Sequence, residues 1–299
     1  MYTFIINPMS GYGKALVAWE KLEILLIEQQ IPYKSLSSIS EIETKEFIVN
    51  QRQHTKIKAV AIIGGDGTTS SIIQQLAKTN IPIAIFPAGS GNDSARMFRL
   101  TNDPGAFIAG LLKGVTTSID LLKLNGHYGI TVAGTGIDSI IGNRVNHSFY
   151  KPFLNKLGIG SFSYTIAAVI SLLSFKPFNG NLTIDGKVQM LNKAWLIAFG
   201  NTTSYGGGLN ICPGALPTDG LLNITLLHNT GRMNVLFRLF PALLRGDPVL
   251  KRGVTYIEGK KITIKTDRPI PAIVDGEIIT STPLHITVHE NALRLILTR

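Results

Sequence analysis

The chain has 299 residues, 44% of them apolar and only 16% charged, which excludes a disordered polypeptide and leaves room for two domains. Lysine and arginine outnumber aspartate and glutamate by 29 to 19, for a net charge of +10, yet no long Lys/Arg run marks a nucleic-acid patch. An anionic small ligand or an anionic membrane surface fits that balance better, and the single cysteine, Cys212, excludes an intrachain disulfide and a cysteine-rich metal site.

The opening MYTFIINP carries no basic n-region and no long apolar h-region, so no secretory leader is expected, and one cysteine suits a reducing compartment. Residues 2–8 read as a buried strand ended by Asn-Pro. Residues 13–30 carry apolar side chains at 16, 19, 22, 25 and 26, the stripe of a helix. A second strand is expected over 31–38, a polar helix over 41–53, and a third strand, apolar throughout, over 57–64. A helix over 69–78, a strand over 81–89 and a helix from 92 to 100 complete the alternation. Strictly alternating β and α elements predict an α/β domain with a doubly wound, mostly parallel sheet.

From about residue 118 the segments become short, glycine-broken and strand-like: 180–192, 194–201, 221–228, 260–266 and 283–289. LTIDGKVQM holds an Asp-Gly hairpin. A β-rich antiparallel sandwich or partly open barrel is expected here, giving domains at 1–118 and 119–289, with a closing strand at 292–299. Two helical insertions interrupt it. Leu157–Phe175 is uncharged, but two glycines, four serines and a threonine dilute it, so a buried helix is favoured over a membrane span. Residues 231–248 are apolar with Arg232, Arg238 and Arg245; the segment reads equally as a helix in a headgroup layer or as one packed on the β domain with snorkelling arginines.

Three glycine-rich turns follow predicted strands. In GGDGT, Gly64–Thr68, the downstream apolar residues 72, 73, 76 and 77 have helical spacing, so the turn joins strand to helix and is not a hairpin. Gly64, Gly65 and Gly67 there allow close backbone approach to an anion, while Thr68 and Thr69 are equally able to cap the helix. PAGSGND (87–93) repeats the pattern at the next strand end with Ser90, Gly91, Asn92 and Asp93. Two such turns at neighbouring carboxyl ends would converge on one crevice, although Asp93 is also a reasonable N-cap. NPMSGYGK (7–14) is neither a Walker A loop nor a Rossmann fingerprint, since Ala15 follows Lys14. VDGE (274–277) and PTDGLL (217–222) are ordinary turns on spacing alone.

Taken in order, NPMSGYGKA, GGDGT, PAGSGND and VDGE resemble the diacylglycerol kinase catalytic-domain family, which includes soluble bacterial lipid kinases and the sphingosine and ceramide kinases. YGGGLNICPGALPTDGLLNIT (205–225) resembles its triple-glycine segment, so the resemblance covers nearly the whole chain. It implies a first domain like that of NAD kinases and phosphofructokinases, to which the tail 290–299 returns, and a lipid site in the second. It further implies a cleft active site, ATP as phosphate donor, Mg²⁺, and transfer of the γ-phosphate to a lipid hydroxyl, that of diacylglycerol or a similar lipid. Asn7, Ser38, Gly64, Gly65, Asp66, Gly67, Thr68, the turn onward to Ser71, Ser90, Gly91 and Asn92 would contact ATP. Asp66 and Asp93 would organise the metal-phosphate end, Glu277 would be the general base, and Asp219 with the carbonyls of Leu216 and Leu221 would hold a structural magnesium. These types suit phosphoryl transfer, which needs positioning, charge neutralisation and a carboxylate near the attacking hydroxyl. Expected partners are the lipid substrate and an anionic membrane at its cytoplasmic face, with no nucleic acid; homodimerisation stays open. An NAD-kinase-like enzyme and a non-catalytic lipid-binding protein are the alternatives. Ser71 stands where the family commonly has a glutamate, Ser90 where it has a threonine, and Thr218-Asp219 where it has two acids.

Overall fold

The computed structural model describes residues 1–146, 161–246 and 253–298. It divides into two compact units, residues 1–121 with 290–299, and residues 122–289.

In the first unit, strands β1 (Tyr2–Ile6), β2 (Tyr33–Ser37), β3 (Ala59–Gly64) and β4 (Ile83–Pro87) form a parallel sheet in the order β2-β1-β3-β4. Leu295 of the closing strand pairs beside Ile83, also in parallel. Side chains alternate across the sheet, so each strand feeds two cores. Phe4, Ile6, Ala61, Ile63, Ala84 and Phe86 meet helices α1 (Lys14–Glu28) and α5 (Pro104–Lys113) on one face. Helices α2 (Glu41–His54) and α3 (Asp66–Leu76) pack against each other and bury Ile48, Ile72, Ile73 and Leu76. The doubly wound α/β expectation holds.

Details differ from the sequence pattern for local reasons. The buried stripe of α1 is Ala15, Trp19, Leu22 and Leu26, and Leu16 is 41% exposed. The small Ala15 lets the helix lie close to the sheet, and the i, i+4, i+7, i+11 spacing runs through it. Helix α3 begins at Asp66, three residues earlier than its apolar periodicity indicates. Helix α5 was not anticipated; Asp103 caps it through Ala106 N at 2.7 Å and Pro104 occupies its first turn, a start signal that the apolar scan passed over.

The second unit is antiparallel β, as expected. One sheet contains β7 (Val132–Gly136), β10 (Leu196–Gly200), β13 (Leu222–Leu227), β14 (Val254–Gly259), β16 (Pro271–Val274) and β17 (Glu277–Ser281), ordered β14-β13-β10-β7-β16-β17. The other places β15 (Lys261–Thr266) between β8 (Phe178–Ile184) and the segment Leu284–Thr287, with β9 (Lys187–Ala194) beyond β8. Phe178, Leu182, Ile262 and Ile286 from this sheet share one core with Ile197, Phe199, Ile224 and Val274 from the first. Asp185 and Gly186, both at positive φ, close the β8–β9 hairpin at the anticipated Asp-Gly. Residues 284–296 form a single strand where two were expected, with Asn291 at φ 51° inside it.

A helix occupies Ser161–Ser174, and residues 157–160 of the anticipated Leu157–Phe175 segment lie outside the described residues. Residues 232–244 are helical, with a π-turn over Val235–Leu239; 247 and 248 likewise lie outside. Among the described residues no helix is long and apolar enough to cross a membrane.

Candidate active site

Because β1, β3 and β4 are parallel neighbours, the turns leaving them lie side by side at one sheet edge. The glycines are needed where these turns touch. A Cβ on Gly89 would stand 2.4 Å from Gly65 Cα, and one on Gly11, at φ +60°, would stand 2.1 Å from the Ala88 carbonyl oxygen. Neither contact leaves room for a side chain. Gly89→Ala should therefore lower the melting temperature, at a cost of about 1–3 kcal/mol by overpacking; an unchanged melt would show that the two turns can separate freely.

Polar side chains complete the junction. Asn7 Nδ2 donates to Thr68 Oγ1 at 3.2 Å, and Asn7 Oδ1 accepts from Met9 N at 3.1 Å. Ser10 Oγ lies 3.4 Å from the same Thr68 hydroxyl, so Thr68 ties the first turn to the second. Thr69 donates back to the Gly65 carbonyl at 3.2 Å. Asn92, at φ 54°, closes its own loop: Gly89 N donates to Oδ1 and Nδ2 donates to Gly89 O, both at 2.9 Å. Ser90 and Gly91 lie within that closed loop. Ser38 follows β2, where its hydroxyl donates to the Glu43 carboxylate and accepts from Ser40 N at 2.9 Å.

The Asp66 carboxylate crosses from the head of α3 to helix α4 (Asp93–Phe98). Oδ2 accepts from Asp93 N at 3.0 Å, and Oδ1 accepts from Ser94 N and Ser94 Oγ, each at 3.1 Å. Burial raises its pKa and the bonds from Asp93 and Ser94 oppose that rise. Asp93 is itself buried and ion-paired with Arg96, whose Nη2 also donates to Gly91 O at 2.8 Å. The helix cap position belongs to Asn92, not Asp93.

In the second unit VDGE is a two-residue hairpin. Asp275 (φ 50°) and Gly276 (φ 88°) form its tip, and Val274 pairs with Glu277. The buried Asp275 carboxylate accepts from Ile130 N at 2.9 Å, Thr131 N at 2.8 Å and Thr131 Oγ1 at 2.6 Å. The hairpin is thereby clamped to the two residues that lead into β7, and Glu277 opens β17 with an exposed side chain. Turn and candidate base are two properties of one motif.

Asp219 accepts from Leu221 N at 3.0 Å in a local side-chain turn, and Leu216 is 54% exposed. Among the described residues no three His, Cys, Asp or Glu side chains cluster as a metal site. One carboxylate with backbone carbonyls is an all-oxygen donor set, completed by water, and fits a hard cation such as Mg²⁺.

Sequence reasoning missed Asp138. It follows Gly-Thr-Gly-Ile at the end of β7 and begins helix α6 (Ile137–Asn146), a third glycine-and-acid turn that was readable but not singled out. Its Oδ1 accepts from Ser139 N at 2.8 Å, while buried Oδ2 has no hydrogen-bond partner among the described residues. Gly134 makes the space, since a Cβ there would stand 1.8 Å from Oδ2. Burial pushes the carboxyl up to about 7. A raised folded pKa stabilises the protonated form, so the contribution is full below the unfolded value and is lost as pH rises through about 7. Asp138→Asn should leave the melting temperature unchanged at about pH 4 and raise it at about pH 8. Identical pH–melting curves for the two proteins would contradict this ionisation.

The diacylglycerol kinase catalytic domain model matches residues 1–124, and the YegS C-terminal NAD kinase beta sandwich-like domain model matches residues 131–297. A diacylglycerol kinase of Mycobacterium tuberculosis (strain H37Rv) is 33% identical over 98% of this chain and 94% of its own length. The chain belongs to the diacylglycerol kinase family. It is a lipid kinase, and the family implies a nucleotide phosphate donor. YtlR of Bacillus subtilis, described as a candidate lipid kinase, is 25% identical over 98% of both chains. A crystal structure of a candidate diacylglycerol kinase from Bacillus anthracis shares the fold of this lipid kinase, with a TM-score of 0.80 at 22% identity over 99% of this chain and 97% of that one.

Proposed function

We propose that this lipid kinase transfers the γ-phosphoryl group of ATP, with Mg²⁺, to the free hydroxyl of diacylglycerol or a closely similar lipid at the cytoplasmic face of a membrane. The observation that carries the proposal is the junction of three glycine-rich turns at the ends of β1, β3 and β4, with side-chain-free backbone at Gly65 and Gly89.

Asn7, Ser38, Gly64, Gly65, Gly67, Thr68, Ser90, Gly91 and Asn92 bind the nucleotide, chiefly through backbone N–H groups and hydroxyls. Asp66 and Asp93 keep the phosphate-end turns in register: Asp66 by fixing the head of α4, Asp93 by holding Arg96. Glu277 accepts the proton of the lipid hydroxyl as its oxygen bonds to the γ-phosphorus and the bond to ADP breaks. Magnesium bound with the nucleotide supplies neutralisation of phosphate charge. Asp219, with the carbonyls of Leu216 and Leu221, holds a second, structural magnesium. Ser71 lies half-buried in α3 and leaves that helix without the family's customary glutamate.

The test is phosphate transfer from Mg-ATP to diacylglycerol, ceramide, sphingosine and a polyprenol presented in the same detergent micelles. Diacylglycerol should be turned over fastest. Faster turnover of another lipid would reassign the substrate, and nucleotide binding with no transfer to any of them would leave the chain a lipid-binding protein.

A further inference from the structure

An open groove of ≈ 660 Å³ lies on the second unit, and its lining includes no residue of the Val274–Glu277 hairpin or of the Leu216–Leu221 loop. Its lining is cationic and amide-rich. Lys193 and Arg232 supply the charge, Asn179, Asn192, Asn229 and Thr230 supply uncharged polar groups, and among the described residues no carboxylate lines it. Asp267 bonds Asn179, and its charge is offset by Arg268 at 3.4 Å.

The groove is shaped by a few firm contacts. Buried Trp195 donates from Nε1 to Thr230 O at 3.0 Å, and the Arg232 guanidinium lies 5.9 Å from the centre of its ring. Arg232 Nη2 donates to Phe175 O at 2.9 Å, one of five N–H donors on the group, so the fork is aimed while donors remain for an oxyanion. Lys193 stands at φ 50°, and its backbone N donates to Asn179 Oδ1 at 3.0 Å. Neither cation is ion-paired among the described residues.

Arg232 also opens the helical segment 232–244, whose outward side is apolar. Met233 and Phe237 are each 65% exposed and Leu244 is 46% exposed, while Val235, Leu239 and Ala242 are buried beneath. Arg238 is exposed on the same segment. The helix Ser161–Ser174 packs against this segment and exposes Ile170 (46%) and Leu173 (56%). A cationic, amide-lined groove thus adjoins a patch of exposed apolar side chains edged by arginine. One ligand satisfies both: a phosphodiester headgroup in the groove whose acyl chains remain in a bilayer penetrated by Phe237 and Met233.

We propose that this groove binds the headgroup of an anionic phospholipid and, with the 232–244 segment, docks the kinase on the membrane surface. Its value to the protein rests on the membrane-borne substrate proposed above, but its lining includes none of the residues assigned to catalysis. Charge complementarity selects the occupant, since each cation near an anionic surface contributes about a fivefold gain in binding.

Vesicle flotation tests the proposal, using phosphatidylcholine alone and equal parts of phosphatidylcholine and phosphatidylglycerol. The parent should float with the mixed vesicles and far less with the neutral ones. Lys193→Gln should weaken that binding about fivefold, and Lys193→Gln with Arg232→Gln about twenty-five-fold. Lys193 is exposed, so the single variant remains informative if loss of Arg232 disturbs Trp195. Phe237→Ser should weaken attachment to both vesicle types. Equal binding to the two vesicle types, or parental binding by Lys193→Gln, would overturn the proposal. So would displacement of the parent from mixed vesicles by soluble glycerol phosphate at concentrations that bind it without any membrane, which would assign the groove to a free phosphate ester. Transfer to micelle-dispersed diacylglycerol, measured in parallel, should stay at the parental rate in Lys193→Gln; its absence in the parent itself would count against the substrate proposal and not against the groove.

Discussion

Glu277→Gln is expected to lower kcat for phosphate transfer to lipid by about 10²–10⁴-fold, the range lost with a general base, while nucleotide affinity and melting temperature stay at parental values. The separation follows from the hairpin. Asp275 and Gly276 supply its two positive-φ residues, and the Asp275 carboxylate supplies the clamp to Ile130 and Thr131. Glu277 contributes neither, and its side chain is exposed, so the isosteric amide removes the proton acceptor while the turn and its clamp stay in place. Asp275→Asn makes the contrast. It weakens three bonds at a buried carboxylate and should destabilise the fold before it alters chemistry. A Glu277→Gln enzyme with the parental rate would remove Glu277 as the base.

Asp66→Ala carries the second large expected effect, on stability as well as nucleotide binding. Asp93 N, Ser94 N and Ser94 Oγ would all lose their acceptor in a part-buried setting. Each orphaned donor costs about 1–3 kcal/mol when water cannot replace the acceptor. Partial solvent entry holds the expected total to about 2–5 kcal/mol. Without this carboxylate, α4 and the loop closed by Asn92 lose three hydrogen bonds to the head of α3, so nucleotide affinity should fall in parallel. Calorimetry and nucleotide titration of the same preparation check both. A parental melt combined with lost nucleotide binding would mean that Asp66 acts on the phosphate-metal end alone; parental values for both would refute its role.

The α/β alternation was legible because parallel central strands are apolar on both faces and their helices carry a one-sided stripe. The second unit was legible through its Asp-Gly turns. What escaped has identifiable causes. Ala15 belongs to the buried stripe of α1, but a small side chain carries little weight in an apolar pattern, so Leu16 took its place. Helix α5 announced itself by Asp103-Pro104 rather than by apolar spacing. The 284–296 strand reads as two in the sequence, at 283–289 and 292–299, because polar Glu290 and Asn291 interrupt the apolar pattern, yet Asn291 takes positive φ within a continuing strand.

The candidate site was legible as motifs and not as contacts. GGDGT and PAGSGND stand at neighbouring strand ends, which parallel topology requires. Their glycines serve first to let Gly65 and Gly89 touch, a relation that no linear pattern contains. Asp66 bonds the backbone 27 and 28 residues away, which is equally invisible in sequence. Asp138 was overlooked because its significance lies in burial beside Gly134, not in spacing.

The most direct measurement is phosphorus NMR of purified protein mixed with ATP, Mg²⁺ and micellar diacylglycerol. A lipid phosphomonoester should appear in step with ADP, one for one, and chelation of the metal should stop both. ADP formed with no lipid phosphomonoester, or a new phosphomonoester on added NAD in place of the lipid, would contradict phosphate transfer to diacylglycerol.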